Sequence, residues 1–359
     1  MAVITALSTH PFRLPMKGTL SWGKGSELRG LEHVLVKVHI RDGEDEVVGV
    51  AEAPVRPTIY GETVASVQSI VAWLEPRLTG LALEDEAAIW NTLHSVVNNH
   101  TARGALDIAF HDARAKASGR TLFGAWRGPN ESVRASFILG IADVETMLRE
   151  ARWVFGQGVS VFKVKVGRDR RMDEQIIRAL QVEFSGEEVI LYADANEGLS
   201  PDTAAQDLER FARWGVAYVE EPLPVELVRE RSSLRAAQIL PIIADDSCFS
   251  LRDLRREIAL DTFDILNIKP ARTGFTESAK MLALAKEVGK GVMVGSQASS
   301  GLGTRHSVLF ASRAGVDYPS ELSFPLKLDE DVVEERLEFH GGRLEVSSLE
   351  KFTLRPEYR

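Results

Sequence analysis

Apolar and polar residues alternate along ITALSTHPFRLP and again along HVLVKVHIRDGEDEVVGVAEA, where Asp42-Gly43 separates two apolar runs. A period of two interrupted by Asp-Gly predicts antiparallel strands joined by a tight turn. The period then lengthens. ETVASVQSIVAWLEPRL, LEDEAAIWNTLHSVV and ARGALDIAFHDARAKASG carry apolar residues three and four apart, and the last stops at Gly119, which is the pattern of amphipathic helices. Sheet followed by helices predicts an α+β module over residues 1–127.

From Val133 onward, strand and helix patterns alternate strictly. VRASFILG, SVFKVKVG, VILYADAN, VAYVEEP, LPIIADDS, DILNIKPA, GVMVGSQ and VDYPSEL read as strands, with DEQIIRALQVEF, TAAQDLERFARWG and TESAKMLALAKEVG among the helices between them. Eight strands at this spacing predict an α/β fold closed as a (β/α)7β TIM-like barrel over residues 128–325, rather than an open sheet. The stretch EFHGGRLEVSSLEKFTL has no helical pattern, so residues 326–359 are predicted to return and complete the N-terminal cap.

Five consecutive strands finish on charge: Lys163 and Lys165, then Asp194, Glu220, Asp245 and Lys269, with gaps from Lys165 onward of 29, 26, 25 and 24 residues. Each gap holds one strand and one crossover helix, so a parallel series brings these side chains to one end of one sheet. Residues two apart on a strand share a face. Lys163 pairs in this way with Lys165, Asp194 with Asn196, and Asn267 with Lys269. Glu220 and Glu221 are adjacent, as are Asp245 and Asp246, so one of each pair is predicted to enter the barrel.

Converging carboxylates in a partly desolvated site disfavour one another's ionisation unless a cation joins them. A hard divalent metal with oxygen ligands resolves this. Zinc is disfavoured, because no His-x-His or His-x-x-x-His pair stands at a strand end or on a helix. The plainer alternative is an ion-paired layer closing the barrel, in which the lysines neutralise the acids. Lys163 lies about 7 Å from Lys165 by strand geometry. A neighbouring cation and burial both lower an ammonium pKa toward the range of a general base. Lys269 is the candidate second base or acid, with Asp246 or Asn267 to position it.

The net charge of −9 over 359 residues opposes binding to nucleic acid or to an anionic membrane surface. No apolar run approaches a membrane span and no secretory signal is read at the start, so small molecules are the expected partners and the cytoplasm the expected location. Cys248 is the only cysteine; it fits a reducing compartment and reads as a small packing residue.

With K-x-K, D-x-N, E-E-P, D-D-S and N-I-K in this order, the chain resembles the enolase superfamily in its muconate lactonizing branch. ARGALDIAFHDARAKASGRTLFGAWRG resembles the stretch that precedes the barrel in that family. The resemblance implies Mg²⁺, with Mn²⁺ as the alternative, on Asp194, Glu220 and Asp245. It implies that Lys165 takes the proton α to a substrate carboxylate, that Lys163 lowers its pKa, and that Lys269 acts from the opposite face. The enediolate mechanism comes with the family and not from these residues. Asn196, Asp246, Asn267, Ser296 and Glu321 are the expected supporting or substrate-binding residues.

Lys269 on the sixth strand, and Gly295-Ser296-Gln297 without histidine on the seventh, separate the chain from the mandelate racemase branch. Dipeptide epimerases place Asp-x-Asp on the eighth strand, whereas Glu321-Leu322-Ser323 followed by Pro325 is similar to the Glu-Leu-x-x-Pro of muconate cycloisomerases. Cycloisomerisation of a small carboxylate is therefore the first expectation. Racemisation or epimerisation of N-acylamino acids or dipeptides, and an o-succinylbenzoate synthase-type dehydration, are the alternatives within the family. A non-catalytic barrel that binds a small acid is the alternative outside it. The resemblance also implies a homo-oligomer, with specificity carried by loops around 16–25 and 57–62.

Overall fold

A computed structural model describes residues 2–23 and 25–359. The N-terminal alternation becomes a three-stranded antiparallel sheet of β1 (Val3–Trp22), β2 (Ser26–Asp42) and β3 (Asp45–Pro54). Gly43, at φ 64°, makes the predicted turn. Helices Val64–Leu78, Glu86–Leu93 and His100–Ala117 follow, the first started by a Thr63 capping box and the second by Asp85.

His100–Ala117 lies against the sheet at Gly49, where an added Cβ would meet the Ala109 carbonyl oxygen at 2.0 Å. Its other face meets the barrel helix Pro270–Glu287, where a Cβ on Gly104 would stand 2.8 Å from the Ala271 carbonyl oxygen. One apolar core therefore runs from cap residues such as Val36 and Leu106 into barrel residues such as Phe275 and Val294.

Two sequence-predicted strands differ from expectation. VRASFILG splits into β4 (Ser132–Arg134) and β5 (Phe137–Leu139). Only β5 joins the barrel sheet, whose seven parallel strands run in consecutive order through β6 (Val161–Lys165), β7 (Ile190–Asp194), β8 (Val216–Glu220), β9 (Ile242–Ala244), β10 (Ile265–Ile268) and β11 (Gly291–Val294). VDYPSEL forms no full strand, because Pro319 has no N–H to give to a ladder. It closes the barrel with isolated bonds instead: Glu321 N donates to Val294 O (2.8 Å) on one side, and on the other Ser320 N donates to Arg134 O (2.9 Å) and Ser136 N to Ser320 O (2.7 Å).

The returning C-terminal segment does pack on the cap. Val332, Val333 and Tyr358 cluster with Phe12, Leu14 and Leu31. It also touches the barrel, which the sequence reading did not foresee: β12 (Arg343–Glu345) pairs antiparallel with β4.

Candidate active site

Parity builds the site from below. Val161, Tyr192, Tyr218, Ile243, Ile265 and Met293 form one apolar layer inside the barrel. Two residues further along the same strands stand Lys163, Asp194, Glu220, Asp245, Asn267 and Gly295. Lys165 pairs in register with Asp194, and Asp194 with Glu220. These charges are buried: Lys163 is 2 % exposed, Asp194 and Glu220 are 1 %, and Asp245 is 4 %.

Above them opens a cavity of about 370 Å³ lined by Lys163, Lys165, Asp194, Asn196, Asp245, Asp246, Lys269, Ser296 and Glu321. Glu220 and Asn267 lie beneath it, with Asn267 Nδ2 3.5 Å from Glu220 Oε2. The rest of the lining comes from the β1–β2 hairpin, the segment 56–59, Ile138, Glu197, Val225, Glu226, Phe249, Gln297, Ala298 and Phe324.

The amines and acids interlock. Lys163 Nζ touches Asp194 (3.0 Å), Glu220 (2.7 Å) and Glu321 (2.5 Å). Lys165 Nζ donates to Asp194 Oδ2 (2.6 Å) and Asn196 Oδ1 (2.9 Å). Lys269 Nζ donates to Asp245 Oδ2 at 2.5 Å, and Arg272 stands 3.4 Å from the other Asp245 oxygen. Glu321 also accepts from Ser296 N (2.8 Å) and from the Tyr192 hydroxyl (3.2 Å).

One sequence expectation fails at Asp246. Glu221 does turn away, accepting from Asp245 N and Ser247 N, but Asp245 and Asp246 both reach the cavity. β9 ends at Ala244, so strict alternation no longer governs either residue. Burial first, and then the charge of Asp245, push the Asp246 carboxyl up to about 6.

Lys163 also departs from the expected lowering of lysine pKa. Burial pulls its ammonium down, but Asp194, Glu220 and Glu321 outweigh burial and hold it well above the ordinary value. The same lysines pull Asp194 below the usual carboxylate range against burial. Glu220 goes the other way, raised by burial and by Asp194, Glu321 and Asp245, because one ammonium cannot satisfy every neighbouring acid.

Among the described residues, no group of three or more His, Cys, Asp or Glu is disposed as a metal cage as the side chains stand. Each acid is drawn to an amine. The donors nonetheless fit a hard divalent cation: carboxylates from three adjacent strands, a Glu220 short of positive charge, and a buried Asn267 Oδ1 with no hydrogen-bond partner. Lys163 Nζ bridges two of these carboxylates, Asp194 and Glu220.

The sequence did not single out Arg272, and it marked Tyr60 only as part of the 57–62 loop. Arg272 lies three residues after Lys269, in the first turn of a helix that begins at Pro270, so i,i+3 spacing from Lys269 could have found it. Tyr60 comes from the cap, and only tertiary structure brings its hydroxyl to Gln297 Nε2. A Cβ on Gly295 would stand 2.7 Å from Lys269 Cε and 2.2 Å from Asn267 Oδ1, so glycine makes the room that Lys269 needs.

Known proteins resemble this chain in sequence and fold. The enolase C-terminal domain-like family model matches residues 146–350, and the mandelate racemase/muconate lactonizing enzyme N-terminal domain model matches 25–124. The N-succinylamino acid racemase of Thermus thermophilus is 31 % identical over 81 % of this chain and 78 % of that protein. The L-Ala-D/L-Glu epimerase of Bacillus subtilis is 28 % identical over 87 % of this chain and 84 % of that one. The muconate lactonizing enzyme of Mycobacterium smegmatis, solved with muconolactone, superposes at a TM-score of 0.90 with 32 % identity over 99 % of this chain and 98 % of that chain. The strand-end charges, the cap and these matches agree: the chain belongs to the mandelate racemase/muconate lactonizing enzyme family of the enolase superfamily and is an isomerase.

Proposed function

We propose that the protein moves the proton on the carbon α to a substrate carboxylate, with Lys165 and Lys269 as the two acid–base groups. The observation that carries this reading is their placement. β6 and β10 stand four apart in the order of the barrel, on opposite walls, and both lysines line the same cavity. A carbon held between them exposes one face to each.

As a neutral amine, Lys165 takes the proton and becomes an ammonium; Lys269, as an ammonium, gives a proton to the opposite face and becomes an amine. Asn196 Oδ1 fixes the direction of Lys165, and Asp245 that of Lys269. Asp194, Glu220 and Asp245 would hold Mg²⁺, which supplies positive charge beside the substrate carboxylate as negative charge grows there. The solved dipeptide epimerases of Enterococcus faecalis and Cytophaga hutchinsonii carry Mg, which supports the same metal here.

Opposed acid–base groups are what inversion requires, so racemisation or epimerisation of an N-acylamino acid or dipeptide is the favoured reaction. Cycloisomerisation, put first by the sequence, needs a single proton donor; Glu321-Leu322-Ser323 in the segment that closes the barrel supports it as the second reading. Incubation in D₂O with Mg²⁺ separates them. One enantiomer of an N-acylamino acid should gain deuterium at Cα and invert. Lactone formation from cis,cis-muconate without such inversion would favour the second reading, and neither reaction on any carboxylate would contradict the proposal.

A further inference from the structure

Arg56 follows β3 within the cap and is 4 % exposed. No carboxylate lies within ion-pair distance of it among the described residues, and burial pulls its guanidinium down to about 10. A buried cation without a paired acid costs stability, and an apolar side chain of similar volume is the cheaper filling. Its donors go to backbone carbonyls. Nη1 donates to Val55 O, and Nη2 donates to Gln297 O and, at 3.2 Å, to Ala298 O. The same Nη2 also lies 3.2 Å from His33 Nε2; a guanidinium only donates, so a hydrogen bond between them has the ring nitrogen accepting in place of one of those carbonyls.

Residues 296–300 form the loop that leaves β11 for the helix Gly301–Ala311. Ala298 holds a left-handed φ of 54°, a conformation a residue with a side chain keeps only when its surroundings impose it. The cap imposes it from both ends. Arg56 takes the carbonyls of 297 and 298, while Glu52 accepts from Ser300 N at 3.0 Å and from the Ser300 hydroxyl. His33 stands between them, 3.5 Å from Glu52 and in contact with Arg56. On its inner side, the loop gives Ser296 N to Glu321 Oε2, and Glu321 Oε1 meets Lys163 at 2.5 Å.

We infer that Arg56 is a positioning residue: from the cap, it fixes the loop 296–300 whose backbone orients Glu321 and, through it, Lys163. The site is thus assembled across the boundary between cap and barrel. The guanidinium matters as a planar fork that bridges successive carbonyls, which a lysine cannot reproduce.

Hydrogen–deuterium exchange by mass spectrometry on wild type, Arg56→Met and Arg56→Lys tests this without any substrate. Both variants should exchange amides in 296–300 roughly tenfold faster, as loss of a buried hydrogen-bonded clamp implies, while barrel strands β6 to β8 keep their protection. The kinetic arm rests on the reaction proposed above: α-proton exchange should lose kcat, with KM little changed. Wild-type protection of 296–300 in both variants overturns the inference, whatever the reaction proves to be. Loosening of the whole barrel in Arg56→Lys overturns it as well, by making the role merely structural. A rise in KM alone, with the loop still protected, makes Arg56 a substrate ligand instead.

Discussion

Single residues decide how the two lysines are presented. Lys165 is held by Asp194 and Asn196 on one wall, and Lys269 by Asp245 on the other. Alternation along the strands made most of this legible in the sequence, because Lys163, Lys165, Asp194 and Glu220 all sit inside strands. It failed at Asp246, past the last residue of β9, and could not place Tyr60 or Arg56, which arrive from another domain. Gly295 tests the crowding directly. Gly295→Ala places a methyl 2.7 Å from Lys269 Cε. The expected outcome is a fall in α-proton exchange of about a hundredfold, as displacement of a reacting group by an ångström implies, with a stability cost of about 1–3 kcal/mol. Exchange kinetics and a thermal melt of the same sample check both numbers.

Elements set the next constraint, the seating of cap on barrel. His100–Ala117 crosses Pro270–Glu287 where Gly104 meets Ala271. The sequence marked both helices by their periodicity, yet gave no sign of their crossing, since a close approach depends on which faces meet. Replacing glycine within a helix ordinarily gains a few tenths to 1 kcal/mol in propensity. Here the new Cβ stands 2.8 Å from a backbone carbonyl, which cannot rotate away, so the clash dominates. Gly104→Val should lower stability by about 1–3 kcal/mol, and calorimetry should register a lower melting temperature. Because Ala271 and Arg272 lie two and three residues after Lys269, activity should fall as well. A variant that melts at or above the wild-type temperature would contradict this packing.

Across the whole molecule, buried histidines tie stability to pH. Burial pushes His306 down to about 4, with Asp112 and Glu52 opposing and Lys116 and Arg305 assisting. His33 and His111 are lowered by burial too. Their folded-state pKa values lie below the unfolded value near 6.5, so the unfolded chain binds more protons as pH falls. The associated stability is complete above about 6.5 and is lost progressively toward pH 4, on the order of 3 kcal/mol for His306. Thermal melts between pH 7 and 5 should show a falling melting temperature with a shallower slope in His306→Gln. Equal slopes would exclude His306 as a contributor.

At this scale the barrel and cap were largely readable from strand and helix periodicity, whereas the closure at Pro319 and the β4–β12 pair were not, because both depend on contacts between segments far apart in sequence. The barrel sets Lys165 and Lys269 on opposite walls, and in the proposed reaction each serves one face of the same carbon. Deuterium incorporation from D₂O, measured separately from each enantiomer of an N-acylamino acid with Lys165→Ala and Lys269→Ala, tests it most directly. Each variant should lose inversion by roughly 10²–10⁴-fold while retaining exchange of the one enantiomer whose α-proton faces the remaining lysine, with opposite preferences in the two variants. Inversion at the wild-type rate in either variant, or the same enantiomer preference in both, would contradict it.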